Sequence, residues 1–209
     1  MSTIQEYYRE RYRHLGHASG PATEPTFALR VNAALKLMSD TPQRVLDYGC
    51  NIGAAASIFA DAGHQVIGLD ISHSAIAVAQ SRASRAAFKV VDSERQIPLP
   101  DASVDVCFCS EVIEHLFAVP EFIEEVFRVL APGGQFLLTT PYHGWIKNLI
   151  IICRNFDSHF DPSGGHIRFF SQRSLTACLQ AGGFQVENIT GIGRCWPIWK
   201  SMFVAARKA

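Results

Sequence analysis

The sequence predicts an α/β three-layer sandwich built on seven strands, and three observations predict it. Short β-branched runs alternate with segments of helical periodicity from about residue 40 onward, the pattern of a parallel sheet with crossover helices. No repeat, low-complexity block or Pro/Gly/Ser linker divides the chain, so residues 1–209 read as one domain. Its 209 residues, 48% hydrophobic and 18% charged, supply one core of ordinary size.

A leader helix Ile4–Leu15 and a second helix Thr26–Met38 form an N-terminal helical cap over residues 1–40. Strand Arg44–Tyr48 comes next, then helix Ile52–Ala62, stopped by Gly63. Strand Gln65–Leu69 leads to Ser72, a residue that can cap helix His73–Arg82. Strands Ala87–Val91 and Val104–Cys109 flank Ile97-Pro98-Leu99-Pro100-Asp101, where two prolines forbid a long helix. Helix Pro120–Leu130 ends at Pro132-Gly133-Gly134, ahead of strand Gln135–Thr140. Pro141–Gly165 reads as an irregular insert. Helix Ser171–Ala181 and strands Phe184–Ile189 and Ser201–Ala206 complete the sheet.

Lys plus Arg and Asp plus Glu number 19 each, so no global field attracts a polyanion, and nucleic acid is not expected as a partner. The densest apolar run, Leu149–Cys153, is far short of the roughly 20 residues that cross a bilayer. Met1–Arg13 contains no signal-peptide apolar region. The six cysteines form no CxxC pair and read as small hydrophobes in a reducing compartment. A cytoplasmic protein with a small-molecule partner is expected.

In such sheets ligands bind beyond the carboxyl ends of the strands. Val45-Leu46-Asp47-Tyr48-Gly49-Cys50-Asn51-Ile52-Gly53 puts a carboxylate at the first strand's tip and two glycines in the following turn, where backbone can approach a ligand. The dinucleotide fingerprint G-x-G-x-x-G is broken, because Asn51 and Ala54 replace two of its glycines. Gly49 and Gly53 fit instead the outer glycines of a D/E-x-G-x-G-x-G turn, with Asn51 in the middle, a residue that tolerates positive φ. Asp70 ends the second strand and Asp92 follows the third. Three carboxylates on neighbouring tips repel one another in a purely structural role, which points to a shared ligand with amine and hydroxyl donors.

With these residues go Pro98-Leu99-Pro100-Asp101, Glu111-Val112-Ile113-Glu114-His115-Leu116, Leu130-Ala131-Pro132-Gly133-Gly134 and Ala181-Gly182-Gly183-Phe184. In this order and spacing, over roughly residues 40–206, the chain resembles the class I S-adenosylmethionine-dependent methyltransferases, particularly the ubiquinone-biosynthesis O-methyltransferase and type 11 group. The resemblance implies a Rossmann-like fold with strand order 3-2-1-4-5-7-6 and an antiparallel last strand. It implies that Asp47, Gly49 and Gly53 frame the methionine portion of the cofactor, Asp70 the ribose hydroxyls and Asp92 the adenine amino group. Their neighbours Cys50, Ile71, Ser93 and Ser110 are counted with them as cofactor-binding.

A sulfonium is already a good methyl donor, so the protein has to align an acceptor, worth roughly 7–11 kcal/mol, and accept its proton, worth about 10²–10⁴-fold. His115, adjoining the cofactor loops, is the first candidate for the proton; the other reading is a histidine that caps a short helix. His143 is the second, and His159 and His166 lie in or beside the insert. Glu111, Glu114 and His115 also compose a set able to hold a divalent cation, completed by one of those histidines, although metal dependence is not favoured. The stretch Trp145–Cys153 reads either as core helix or as part of a lid, residues 141–165, over a partly apolar acceptor. Tyr7, Tyr8 and Tyr12 either cover the sulfonium or pack a helix face. The expected function is methyl transfer to an oxygen of a small, partly apolar molecule. Three alternatives stay open: a non-catalytic S-adenosylmethionine-binding module, a metal-dependent 2′-O-methyltransferase of RNA, and an NAD-linked oxidoreductase, the last disfavoured by Asn51 and Ala54.

Overall fold

Alternate residues of the central strands enter two separate cores. In β1 (Arg44–Tyr48) and β4 (Val104–Ser110), Val45, Val106 and Phe108 face one side, while Leu46, Cys107 and Cys109 face the other. That period of two, with both faces apolar, is the signature of a strand covered by helices on both sides. The computed structural model describes residues 24–82, 85–161 and 165–209.

Helices α1 (Phe27–Leu35), α2 (Ala54–Asp61) and α3 (His73–Ser81) cover one face, burying Val31, Phe59 and Ile76. On the other face α4 (Val119–Val129) buries Phe122, Ile123 and Val126, and α7 (Gln172–Ala181) buries Leu175 and Leu179. Strands β2 (Gln65–Asp70), β3 (Ala87–Val90), β5 (Leu130–Pro141), β6 (Phe184–Ile192) and β7 (Ser201–Lys208) complete a sheet in the order β3-β2-β1-β4-β5-β7-β6. β7 runs antiparallel to both of its neighbours, and the other pairings are parallel. The order expected from the resemblance is therefore the observed one.

Four expectations need correction. α2 starts at Ala54, not Ile52, because Gly53 is left-handed (φ 78°) and forms its cap. Pro132-Gly133-Gly134 lies within β5: Val104 pairs with Leu130 and Val106 with Gln135, so these residues form an irregularity in the strand. The insert is not irregular, since it contains α5 (Trp145–Arg154) and α6 (Phe156–His159). Nor is α5 core, because it adds no residue to either cluster. The leader helix Ile4–Leu15, with Tyr7, Tyr8 and Tyr12, lies outside the described residues.

Candidate active site

β1 sits between β2 and β4, so the chain's crossovers diverge there and leave a crevice at the strands' carboxyl ends. A cavity of about 460 Å³ occupies it. Asp47, Gly49, Cys50, Asp70, Ile71, Asp92, Ser93, Ser110, Glu111 and His115 all line it; Gly53 and His143 do not.

The first turn makes its sharp path with three left-handed residues, Gly49 (φ 78°), Asn51 (φ 49°) and Gly53 (φ 78°). At Gly49 a Cβ would overlap the side chain of Val112. Asn51 takes the middle position at little cost because its Oδ1 accepts the N–H of Ile52 at 2.7 Å. Gly53 thus shapes the loop from behind and does not touch the cavity.

The carboxylates at the tips differ in environment. Burial pushes the Asp47 carboxyl up to about 7, against a hydrogen bond from the Ala56 backbone, and the charge of Asp70 pushes in the same direction as burial. Asp47 Oδ2 is buried with no hydrogen-bond partner. Burial raises Asp70 too, opposed by the N–H groups of Ser72 and Asn51. Asp92 is exposed, on the rim.

Arg30 is a candidate site residue that motif reading missed. It is 1% exposed, lines the cavity from α1, and donates to Thr26 Oγ1 (2.9 Å) and Glu24 Oε2 (2.7 Å). Its Nε has no partner. Lys200 closes a second ion pair on Glu24. Burial raises the Glu24 carboxyl, but the hydrogen bonds and charges of Arg30 and Lys200 outweigh it and hold the group at about 2. The available signal was an arginine between apolar residues on a helix, at the spacing that faces the sheet.

On the opposite wall Glu111 stands in a left-handed conformation (φ 57°), its N–H bonded to Thr139 O (2.9 Å). Such a conformation in a non-glycine residue is costly and concentrates at functional sites. Burial raises the Glu111 carboxyl while Arg30 opposes it. Glu114 is 1% exposed; burial pushes it well up and Glu111 adds to that, although Thr140 Oγ1 donates to Oε2 at 3.0 Å. Segment 165–168 straps this turn: the N–H groups of Ile167 and Arg168 both donate to Glu114 O (3.1 Å each), and Arg168 Nε donates to Leu116 O (2.8 Å). Glu94 ties the far rim, its carboxylate accepting the N–H groups of Phe117 and Ala118 ahead of α4.

His115 Nδ1 lies 2.6 Å from Gly165 O. A carbonyl only accepts, so Nδ1 carries a proton in this contact. Glu114 Oε1, which has no hydrogen-bond partner, lies 4.0 Å from Nε2 of both His115 and His166. The ligand atoms of Glu114, His115 and His166 lie within 4.8 Å of one another. Glu111, expected in this set, is not part of it, and His166 replaces it; Glu111 lines the cavity, as Arg30 does. Of the lid 141–165, α5 and α6 add nothing to the lining. His143 is buried in an aromatic group with His159 and Phe169, its Nδ1 3.0 Å from Asn148 Oδ1.

Comparison with known proteins places these features. The family described as "Methyltransferase domain" matches residues 9–189. A Mycolicibacterium smegmatis protein named "Probable S-adenosylmethionine-dependent methyltransferase" is 38% identical over 148 residues, 71% of this chain and 54% of that one. The mitochondrial ubiquinone biosynthesis O-methyltransferase of Mus musculus is 28% identical over 159 residues, 71% of this chain and 43% of that one. The chain thus spans about half the length of these relatives. A crystal structure of an S-adenosylmethionine-dependent methyltransferase from Methanosarcina mazei shares the fold, with a TM-score of 0.68 at 22% identity, covering 84% of this chain and 96% of that one. With its strand order, its acidic strand tips and the family match over most of its length, the chain belongs to the S-adenosylmethionine-dependent methyltransferases.

Proposed function

We propose that the protein transfers the methyl group of S-adenosylmethionine to an oxygen of a small, partly apolar acceptor, with His115 accepting the proton. The observation that carries this reading is the 2.6 Å contact of His115 Nδ1 with Gly165 O. It leaves the basic nitrogen, Nε2, as the one able to take a proton at the cavity.

The residues present fit the cofactor. Asp47 Oδ2 is a buried acceptor in need of a donor, which the methionine ammonium supplies, and Arg30 Nε is a buried donor complementary to the methionine carboxylate. Asp70 has lone pairs left for ribose hydroxyls beyond its two backbone bonds. Asp92 and Ser93 stand at the rim for the adenine. The sulfonium brings its own leaving group, so these residues bind and orient, while His115 moves the proton.

Metal assistance is a second reading, favoured by Glu114 Oε1. An unpartnered buried carboxylate oxygen facing two imidazole nitrogens suits a divalent cation with mixed N/O ligands, after the three atoms close in from 4.0 Å contacts. Such a cation would lower the pKa of an acceptor hydroxyl.

Transfer of tritium from methyl-labelled S-adenosylmethionine to a panel of phenols, hydroxy acids and amines tests the proposal. Label in phenol or hydroxyl acceptors supports it. Cofactor binding without labelling of any acceptor would replace it with a binding module.

A further inference from the structure

We propose that α5 is an interfacial helix that seats the protein on the surface of an anionic lipid bilayer. Neither core draws a residue from α5 or α6. Yet α5 reads Trp-Ile-Lys-Asn-Leu-Ile-Ile-Ile-Cys-Arg. Trp145, Leu149 and Ile152 recur at the i, i+4, i+7 spacing that makes one stripe, and Phe156 follows just beyond the helix. All four are more than half exposed, Trp145 at 79%. The residue turned inward is Lys147, buried, its Nζ donating to Lys200 O (3.1 Å). The helix therefore presents its apolar side to the outside and a cation to the protein, the reverse of a core-packed helix. Seven of the twelve large apolar side chains exposed among the described residues fall between 145 and 169.

Size and charge identify what covers this face. Ten residues span about 15 Å, so the α5 stripe is short and narrow. A bilayer needs no matching groove, so a narrow stripe suffices there. The charge that α5 exposes is Arg154, and the helix carries no carboxylate. Asp157 is the nearest acid along the chain, in a molecule whose charges otherwise balance at 19 and 19. Tryptophan at one end and arginine at the other are side chains favoured at the headgroup level. No helix among the described residues is long and apolar enough to cross a membrane, so contact is with the surface.

The face is continuous with the cavity. Phe156 packs tilted against Phe160 (5.3 Å) and Phe160 edge-on against Phe169 (5.1 Å), and Ile167, whose N–H donates to Glu114 O, follows His166, a residue of the cavity lining. An acceptor dissolved in the bilayer would reach that cavity without crossing water, a consequence that rests on the methyl-transfer reading; the lipid contact itself does not.

Sedimentation of the full chain with vesicles tests the contact without any acceptor. The protein should pellet with phosphatidylcholine–phosphatidylglycerol vesicles, less with phosphatidylcholine alone, and less again at raised salt. Leu149→Glu together with Ile152→Glu should weaken pelleting roughly tenfold or more, with unchanged thermal unfolding and unchanged calorimetric binding of S-adenosylhomocysteine. Wild-type protein that stays in the supernatant with both vesicle types would overturn the proposal, as would equal pelleting of the double variant. A concentration-dependent dimer in sedimentation velocity that the double substitution abolishes would overturn it in favour of a second copy.

Discussion

Asp70 Oδ2 accepts the backbone N–H of Asn51 across 2.8 Å, while its Oδ1 accepts that of Ser72 at the same distance. One carboxylate thus fixes the turn after β1 and the start of α3. Asp70→Ala should therefore do two things. It strands two buried backbone donors, which lowers stability by roughly 2–4 kcal/mol, and it weakens S-adenosylhomocysteine binding by at least about tenfold. Thermal unfolding reads the first effect and calorimetric titration the second. Unchanged affinity in a less stable variant would leave Asp70 as a turn residue and sink its assignment to the ribose.

Exchange of His115 for glutamine removes the proposed proton acceptor but keeps a side chain able to bond Gly165. The methyl-transfer rate should fall roughly 10²–10⁴-fold, with cofactor affinity nearly unchanged. EDTA sorts the two readings of the Glu114–His115–His166 cluster. A histidine base is indifferent to the chelator, whereas metal assistance is lost and returns with Mn²⁺ or Zn²⁺; His166→Gln should then reproduce the effect of EDTA. Wild-type turnover in His115→Gln would place the proton acceptor elsewhere.

His143 predicts a pH dependence of stability. Burial lowers it to about 4, with the charges of Lys147 and His159 acting the same way and the Asn148 hydrogen bond opposing. The unfolded chain takes up this proton near 6.5 and the folded one only near 4, so His143's share of stability is complete above about 6.5 and is lost as pH falls toward 4. The slope in that window is at most about 1.4 kcal/mol per pH unit. Urea unfolding of His143→Gln at pH 7 and pH 5 should give a smaller difference than the wild type. Methyl transfer should stay within a few-fold, because His143 does not line the cavity.

What the sequence made legible was what repeats locally. Val106 and Phe108 against Cys107 and Cys109 reveal a strand buried on both faces, and Gly49, Asn51 and Gly53 carry the left-handed turn in their side-chain chemistry. His166 was one of several histidines because nothing local assigns it to His115. Backbone bonds from Ile167 and Arg168 to Glu114, across more than 50 residues, bring it there. Arg30 was hidden for a related reason: a buried cation needs Glu24 and Thr26 beside it, and that pairing is visible only after folding. Pro132-Gly133-Gly134 misled because the same residues stop a helix and kink a strand.

The carboxylate of Glu94 joins the loop after β3 to the two N–H groups that precede α4. The loop after β3 and the residues ahead of α4 are thereby tied together beside the cavity. Two glutamates of the cavity lining hold their neighbours: Glu94 through backbone N–H groups, Glu24 through its pairs with Arg30 and Lys200. The first is made of hydrogen bonds to neutral backbone, whereas the second includes the part-exposed Lys200–Glu24 pair, which rising ionic strength screens. A release rate of S-adenosylhomocysteine that rises with salt would thus report on the Glu24–Lys200 contact.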